Sequence, residues 1–232
     1  MTWVYPAIML SAVGTAVALS RRTQGRLRLT RRERWAISLG AFCGAMIGAK
    51  LPFALTDPQG LASGAAWFEN GKTIIFGLVG GYFGVEAAKW AMHITIKTGD
   101  SFAAPVAAAI AVGRLACFSA GCCRGTPTDL PWAAEFDGVS CHPTQLYEFA
   151  FHMACAAILV QMQARGVLRG QLIKLYILVY LAYRFATEFI RPEPKLWLDL
   201  SVYQWAAILF APIFVLLWLR DRRPGGALQT AT

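Results

Sequence analysis

The 232-residue chain is short of charged side chains and of histidine. Charged residues make up 15% of the sequence and hydrophobic residues 56%, which is too apolar for an ordinary soluble domain. Of its three histidines none lies in residues 1 to 92, so no imidazole ligand or base can come from that part. No segment alternates apolar and polar residues over strand length, and an open sheet would leave backbone groups unpaired in lipid. The sequence therefore predicts an all-α integral membrane protein.

Seven apolar stretches are long enough to cross a hydrocarbon core of roughly 30 Å as transmembrane helices. They are Thr2 to Ser20, Trp35 to Leu55, Thr73 to Ala88, Phe102 to Phe118, Tyr147 to Gln163, Leu172 to Ile190 and Val202 to Leu219. We expect one transmembrane domain over residues 1–223, with residues 224–232 as a disordered tail.

The basic residues indicate how the chain is oriented in the membrane. Loops 21–34, 89–101 and 164–171 and the tail from Arg220 hold 14 lysines and arginines, whereas the alternate loops hold 4. The positive-inside rule places the richer side in the cytoplasm, with the N-terminus outside and the C-terminus inside. Because the net charge of +9 is divided among separate loops, no nucleic-acid partner is expected.

Two arginines, Arg114 and Arg184, lie within predicted membrane helices. A guanidinium is costly in hydrocarbon, so each must face protein, a water-filled cavity or an anion, and the plentiful anion there is phospholipid phosphate. Snorkelling to the membrane surface is the alternative, because both residues lie near helix ends. Loop 119–146 is rich in glycine and proline, which predicts turns, and it would form one wall of an anion site on the outer side.

Several motifs resemble the prolipoprotein diacylglyceryl transferase family. They are Gly113-Arg114-Leu115-Ala116-Cys117-Phe118, then Gly121 and Gly125, His142-Pro143-Thr144-Gln145-Leu146-Tyr147-Glu148, and Arg184-Phe185 with Glu188 and Arg191. The resemblance implies seven transmembrane helices and an active site at the outer face of the bacterial inner membrane. It implies transfer of a diacylglyceryl group from phosphatidylglycerol to the lipobox cysteine of a prolipoprotein signal peptide, without a cofactor or metal.

The resemblance also assigns roles to individual residues. Arg114 and Arg184 match the arginines that hold the lipid, and Lys50 stands where the family has an arginine on the second helix. The substrate-binding residues implied are Arg114, Arg184, Glu188, Arg191, Gly125, Gln145, Tyr147 and Lys50. The chain departs from the family at four further positions: Cys117 replaces an asparagine, Cys122 a glutamate and Cys141 an arginine, and Phe76 stands at the histidine of a His-Gly-Gly motif.

The chemistry of such a transfer narrows the choice of catalytic residues. Two guanidiniums in a low-dielectric site would stabilise the charge that builds on the departing phosphate, and the attacking sulfur needs a base. Here His142 and Glu148 are the candidate bases, and Arg184 is the candidate catalytic cation. Structural alternatives remain: Arg184 and Glu188 have ion-pair spacing, His142 is suited to capping a helix, and Glu148 to complementing its dipole.

Four cysteines, Cys117, Cys122, Cys123 and Cys141, fall on the predicted outer side. Disulfides in an oxidising compartment are one explanation. A zinc site with His142 is another, although Cys-x4-Cys-Cys is not an ordinary ligand spacing, and we expect no metal. The third is a catalytic thiol. Two further functions remain open for the whole chain: transfer of a phospholipid-derived group to another acceptor, or a non-catalytic role in binding lipid, thiol or metal.

Overall fold

The computed structural model describes residues 3–56, 58–64 and 73–222 and is mostly helical. The long helices are α1 (Val4–Gln24), α2 (Arg31–Thr56), α4 (Ile74–Ala91), α5 (Gly99–Ser119), α6 (Thr144–Ala164), α7 (Leu172–Thr187) and α8 (Val202–Arg222). Short elements complete the chain: α3 (Pro58–Ser63), strands β1 (Ala134–Phe136) and β2 (Val139–Cys141), and single 3-10 turns at Glu188–Ile190 and Trp197–Asp199.

The prediction of a mostly helical chain with several apolar helices is confirmed. By length and composition, four helical segments suffice to cross a membrane: Val4–Gln24, Arg31–Phe53, Gly99–Ser119 and Val202–Asp221. α7 has 16 residues before its helix tightens into a 3-10 turn at Glu188. The count of seven spans and the orientation of the termini therefore stay predictions, and the expected tail at 224–232 lies outside the described residues.

The chain forms two compact units, and the single transmembrane domain stays a prediction. The first comprises residues 1–27 and 98–205, and the second residues 28–97 and 206–232. In the first unit α5 packs against α1 and α6. Asp100 caps α7, since its carboxylate accepts hydrogen bonds from Gly170 N at 2.5 Å and Leu172 N at 2.9 Å.

In the second unit α2 and α4 pack closely and antiparallel. α2 begins with a capping box, in which Thr30 N donates to the Glu33 carboxylate at 2.7 Å and Glu33 N donates to Thr30 Oγ1. The glycines of α4 allow this close approach, because a Cβ at Gly80 would lie 3.0 Å from the Gly48 Cα. Small residues thus let the two backbones touch, as is common between membrane helices.

The loop between α5 and α6 contains a β-hairpin, so the expectation of a purely helical chain is wrong in this detail. Asp137 and Gly138 both have positive φ, at 51° and 79°, which suits a two-residue hairpin turn whose twist matches the flanking strands. The strands have three residues each, too short to show alternation. The turns predicted for this loop are confirmed.

Candidate functional site: a buried arginine and glutamate cluster

The ends of three helical segments in the first unit bring three arginines around the carboxylate of Glu148. Glu148 lies in the first turns of α6 and is 1% exposed. Its Oε2 pairs with Arg114 Nε from α5, and its Oε1 lies 3.2 Å from Arg184 Nη1 of α7 and 3.5 Å from Arg191 Nη1. A single buried carboxylate therefore fixes the three guanidiniums predicted from sequence.

A second carboxylate orients Arg184. Glu188 Oε2 lies 2.9 Å from Arg184 Nη2, and Glu188 Oε1 accepts a hydrogen bond from Ser201 Oγ at 2.8 Å. The guanidinium of Arg184 also lies over the ring of Tyr203, 4.7 Å from its centroid. The predicted i, i+4 ion pair is thus present, and it belongs to a larger network instead of standing alone.

The five side chains of this cluster carry more positive than negative charge. Three guanidiniums face two carboxylates, which leaves one positive charge in a buried setting. Among the described residues, the buried Nε of Arg191 has no hydrogen-bond acceptor. Uncompensated buried charge is costly, so the arrangement favours the binding of an anion.

Beside the cluster, His142, which lies just before α6, is close to Tyr147 in the first turn of α6. His142 Nδ1 lies 3.4 Å from Tyr147 Oη, which accepts a hydrogen bond from Trp132 Nε1 at 2.9 Å. Thr144 connects this group to the arginines, since its N–H donates to the His142 carbonyl and its Oγ1 accepts from Arg191 Nη1 at 3.3 Å. His142 is therefore two residues before Thr144, whose side chain contacts Arg191 of the cluster.

Gly125 lies where the loop, α6 and the segment before Arg191 meet. Its N–H donates to the His142 carbonyl at 2.9 Å, and the next N–H, of Thr126, donates to the Ile190 carbonyl at 2.9 Å. A Cβ at Gly125 would lie 2.6 Å from the His142 Cβ and 2.7 Å from the Ile190 carbonyl oxygen. Only a glycine fits, so Gly125 sets the spacing between the His142 segment and the Arg191 segment.

Three of the four cysteines predicted for the outer side, Cys117, Cys122 and Cys123, lie together as free thiols at the C-terminal end of α5. Disulfides were one of three explanations for these cysteines, and the structure holds all six cysteines of the chain as free thiols. Cys141 is buried at the end of β2 and is not part of the group. A hydrogen bond from the Cys117 thiol, helped by the guanidiniums of Arg114 and Arg191, lowers the pKa of the Cys123 thiol.

Two predicted residues have other surroundings. Gln145 uses its amide nitrogen to donate to the Cys122 carbonyl at 2.6 Å, so it holds the loop in place. Lys50 is buried in α2 of the second unit. The roles proposed for these residues, and for His142 and Glu148 as bases, remain predictions.

A buried aromatic group, which was not predicted from the sequence, adjoins Glu148. His152 lies one turn after Glu148, is 0% exposed, and its Nδ1 is 2.8 Å from Tyr176 Oη. Its ring also contacts Tyr180, with 5.0 Å between centroids. The i, i+4 spacing in the sequence could have indicated this group. It places Tyr176, Tyr180 and Arg184 on one face of α7, and Glu148 and His152 on one face of α6.

Apolar helices and a buried cluster of three arginines and two glutamates together fit a membrane protein whose interior is suited to an anion. Comparison with known proteins gives the family: a family model described as prolipoprotein diacylglyceryl transferase matches residues 2–220. The chain therefore belongs to the prolipoprotein diacylglyceryl transferase family, as its motifs predicted, and the predicted transferase class is confirmed.

Individual relatives agree with the family match. A Clostridium tetani protein is 26% identical over 202 residues, covering 81% of this chain and 80% of the relative. A Bordetella bronchiseptica protein is 30% identical over 239 residues, covering 95% and 91%. Each is named phosphatidylglycerol–prolipoprotein diacylglyceryl transferase, an enzyme of lipoprotein biosynthesis.

Proposed function

We propose that this protein transfers the diacylglyceryl group of phosphatidylglycerol to the thiol of a lipobox cysteine in a secreted prolipoprotein. The family of the chain and the names of its relatives support this reaction. The observation that carries it here is the buried cluster, in which three guanidiniums outnumber two carboxylates. A phosphodiester anion supplies the missing negative charge.

In the reaction the sulfur of the acceptor attacks the glyceryl carbon that bears the phosphate. A carbon–sulfur bond forms, the carbon–oxygen bond to phosphate breaks, and glycerol phosphate leaves with the bonding electrons. Arg114, Arg184 and Arg191 stabilise the charge on the departing phosphate because they are already oriented before the substrate binds. Glu148 and Glu188 hold them in that orientation.

The proton of the attacking thiol needs an acceptor. Both oxygens of Glu148 are engaged by arginines, whereas His142 keeps an imidazole whose contact is the Tyr147 hydroxyl. We therefore assign the base role to His142, with Tyr147 positioning its ring. Glu148 acts by orienting the arginines.

The reaction belongs at the outer leaflet of the bacterial plasma membrane. The distribution of lysine and arginine supports an outside N-terminus, which puts the loop from Gly121 to Pro143 and Arg191 on the outer side. A secreted prolipoprotein presents its cysteine on that side, and phosphatidylglycerol reaches the cluster sideways from the bilayer.

The test uses purified full-length protein with phosphatidylglycerol and a synthetic lipobox peptide. The expected product is a peptide that gains the mass of one diacylglyceryl group, with one glycerol phosphate released per modified peptide. A peptide with serine in place of its cysteine, and vesicles of phosphatidylcholine in place of phosphatidylglycerol, should give no product. Complementation of a cell depleted of its own transferase checks the same activity in a membrane.

Two other outcomes would contradict the proposal. Release of glycerol phosphate without modification of the peptide would mean another acceptor, a reading that the cysteines in the signature region favour. Binding of phosphatidylglycerol with no release would mean a lipid-binding protein.

A further inference from the structure

The backbone hydrogen bonds of the turn that ends α5 bring Cys117 and Cys122 together. Cys122 N donates to the Cys117 carbonyl at 3.2 Å and Gly121 N to the Phe118 carbonyl at 3.1 Å, and Gly121 has φ +67°. These bonds form a Schellman motif, which brings the side chains on either side of the turn into contact. In most helices that contact is apolar, whereas here it consists of two thiols.

The third cysteine is held in a conformation that such a turn does not require. Cys123 has φ +60°, which is uncommon for a residue with a side chain and costs free energy unless its surroundings impose it. The start of α6 provides that restraint: Thr144 Oγ1 donates to the Cys123 carbonyl and Gln145 Nε2 to the Cys122 carbonyl, each at 2.6 Å. The backbone on which both thiols stand is therefore fixed.

The three sulfur atoms are close enough to share one ion. The Sγ atoms of Cys117, Cys122 and Cys123 all lie within 4.8 Å of one another. In a tetrahedral zinc site with bonds of about 2.3 Å, sulfur ligands are about 3.8 Å apart, so small side-chain rotations suffice. We propose that Cys117, Cys122 and Cys123 form a site for one thiophilic metal ion, Zn²⁺ or Cu⁺.

Charge favours this assignment. Three thiolates around a divalent or monovalent ion leave a net negative charge, and Arg114 lies beside them with its Nη1 3.7 Å from Cys117 Sγ. The same guanidinium belongs to the arginine cluster, so the metal site would adjoin the anion site. In the described residues, the ligand group contains three side chains and no fourth, which leaves one position open on zinc and suits trigonal coordination of copper(I).

The test uses full-length reduced protein in detergent, with Zn²⁺ or Cu⁺ added alone under anaerobic conditions. We expect one ion per chain after removal of excess metal, and protection of three of the six cysteines from alkylation. Peptide mass spectrometry should place the protected thiols at Cys117, Cys122 and Cys123. Competition between the two ions identifies the preferred one, and Co²⁺ gives a thiolate charge-transfer band that reports the ligands.

Variants connect the ion to these thiols. Cys122→Ser and Cys123→Ser should each lower metal retention at least tenfold, while Cys43→Ser and Cys155→Ser should leave it unchanged. The proposal is wrong if reduced wild-type protein retains no ion, or if metal leaves all six thiols open to alkylation. The protection measurement needs no variant, so misfolding of a substituted protein cannot decide the result.

Discussion

Replacing Arg114 by glutamine removes one guanidinium from the cluster and gives the sharpest test of the anion site. In the wild-type protein three guanidiniums face two carboxylates. In Arg114→Gln, Arg184 and Arg191 remain with Glu148 and Glu188, so the charges balance. The substitution thus removes the charge available to phosphate and leaves a neutral set, in which Glu148 keeps its arginine partners on Oε1 and loses the partner of Oε2.

Because the charges balance in Arg114→Gln, we expect this substitution to lower activity much more than stability. Loss of one donor to a developing negative charge lowers kcat by about 10²–10³-fold, equivalent to about 2.7–4 kcal/mol of transition-state stabilisation. Glu148 keeps Arg184 at 3.2 Å and Arg191 at 3.5 Å, so no carboxylate becomes unpaired. The loss of stability should stay below the about 3–5 kcal/mol typical of a broken buried ion pair.

The assay combines diacylglyceryl transfer to the lipobox peptide with thermal unfolding in detergent. The matched control is Arg124→Gln, because Arg124 pairs with the exposed Asp137 at 2.6 Å and such surface pairs contribute about 0–1 kcal/mol. We expect normal transfer by the control, and greatly reduced transfer by a folded Arg114→Gln protein. Wild-type turnover by folded Arg114→Gln protein would refute the charge argument.

Two further predictions concern the same cluster and the loop that supports it. Glu148→Gln leaves three guanidiniums with one carboxylate, so unfolding should become easier by about 3–5 kcal/mol. Vesicles of phosphatidylglycerol should restore part of that stability and vesicles of phosphatidylcholine should not; equal effects of the two lipids, or a comparable loss in the exposed control Glu135→Gln, would argue against a phosphate site. Gly125→Ala should lower transfer at least tenfold because its Cβ would push the His142 segment away from Ile190. Gly14→Ala, which meets nothing within 4 Å, is the control, and equal activities of the two variants would show that the loop spacing is unimportant.

The sequence by itself determined the membrane class, the family and the three arginines. Composition and the length of the apolar stretches indicate the membrane class, because few charged residues and apolar stretches of this length are typical of transmembrane helices. Arg114 and Arg184 were identified by the cost of placing a guanidinium among apolar residues. The Asp137-Gly138 pair is also typical of a hairpin turn, but the two strands are too short to show an alternation of apolar and polar residues in the sequence.

Only the tertiary structure decided what the charged groups do together. From the sequence, Glu148 is a candidate base or a residue that complements a helix dipole. In the structure, arginines from α5 and α7 contact both of its carboxylate oxygens, which indicates that it orients them. Cys117, Cys122 and Cys123 likewise read as disulfide candidates, and the backbone of one turn made them neighbours. Pairing between side chains from different elements depends on how helices pack, which local sequence patterns do not specify.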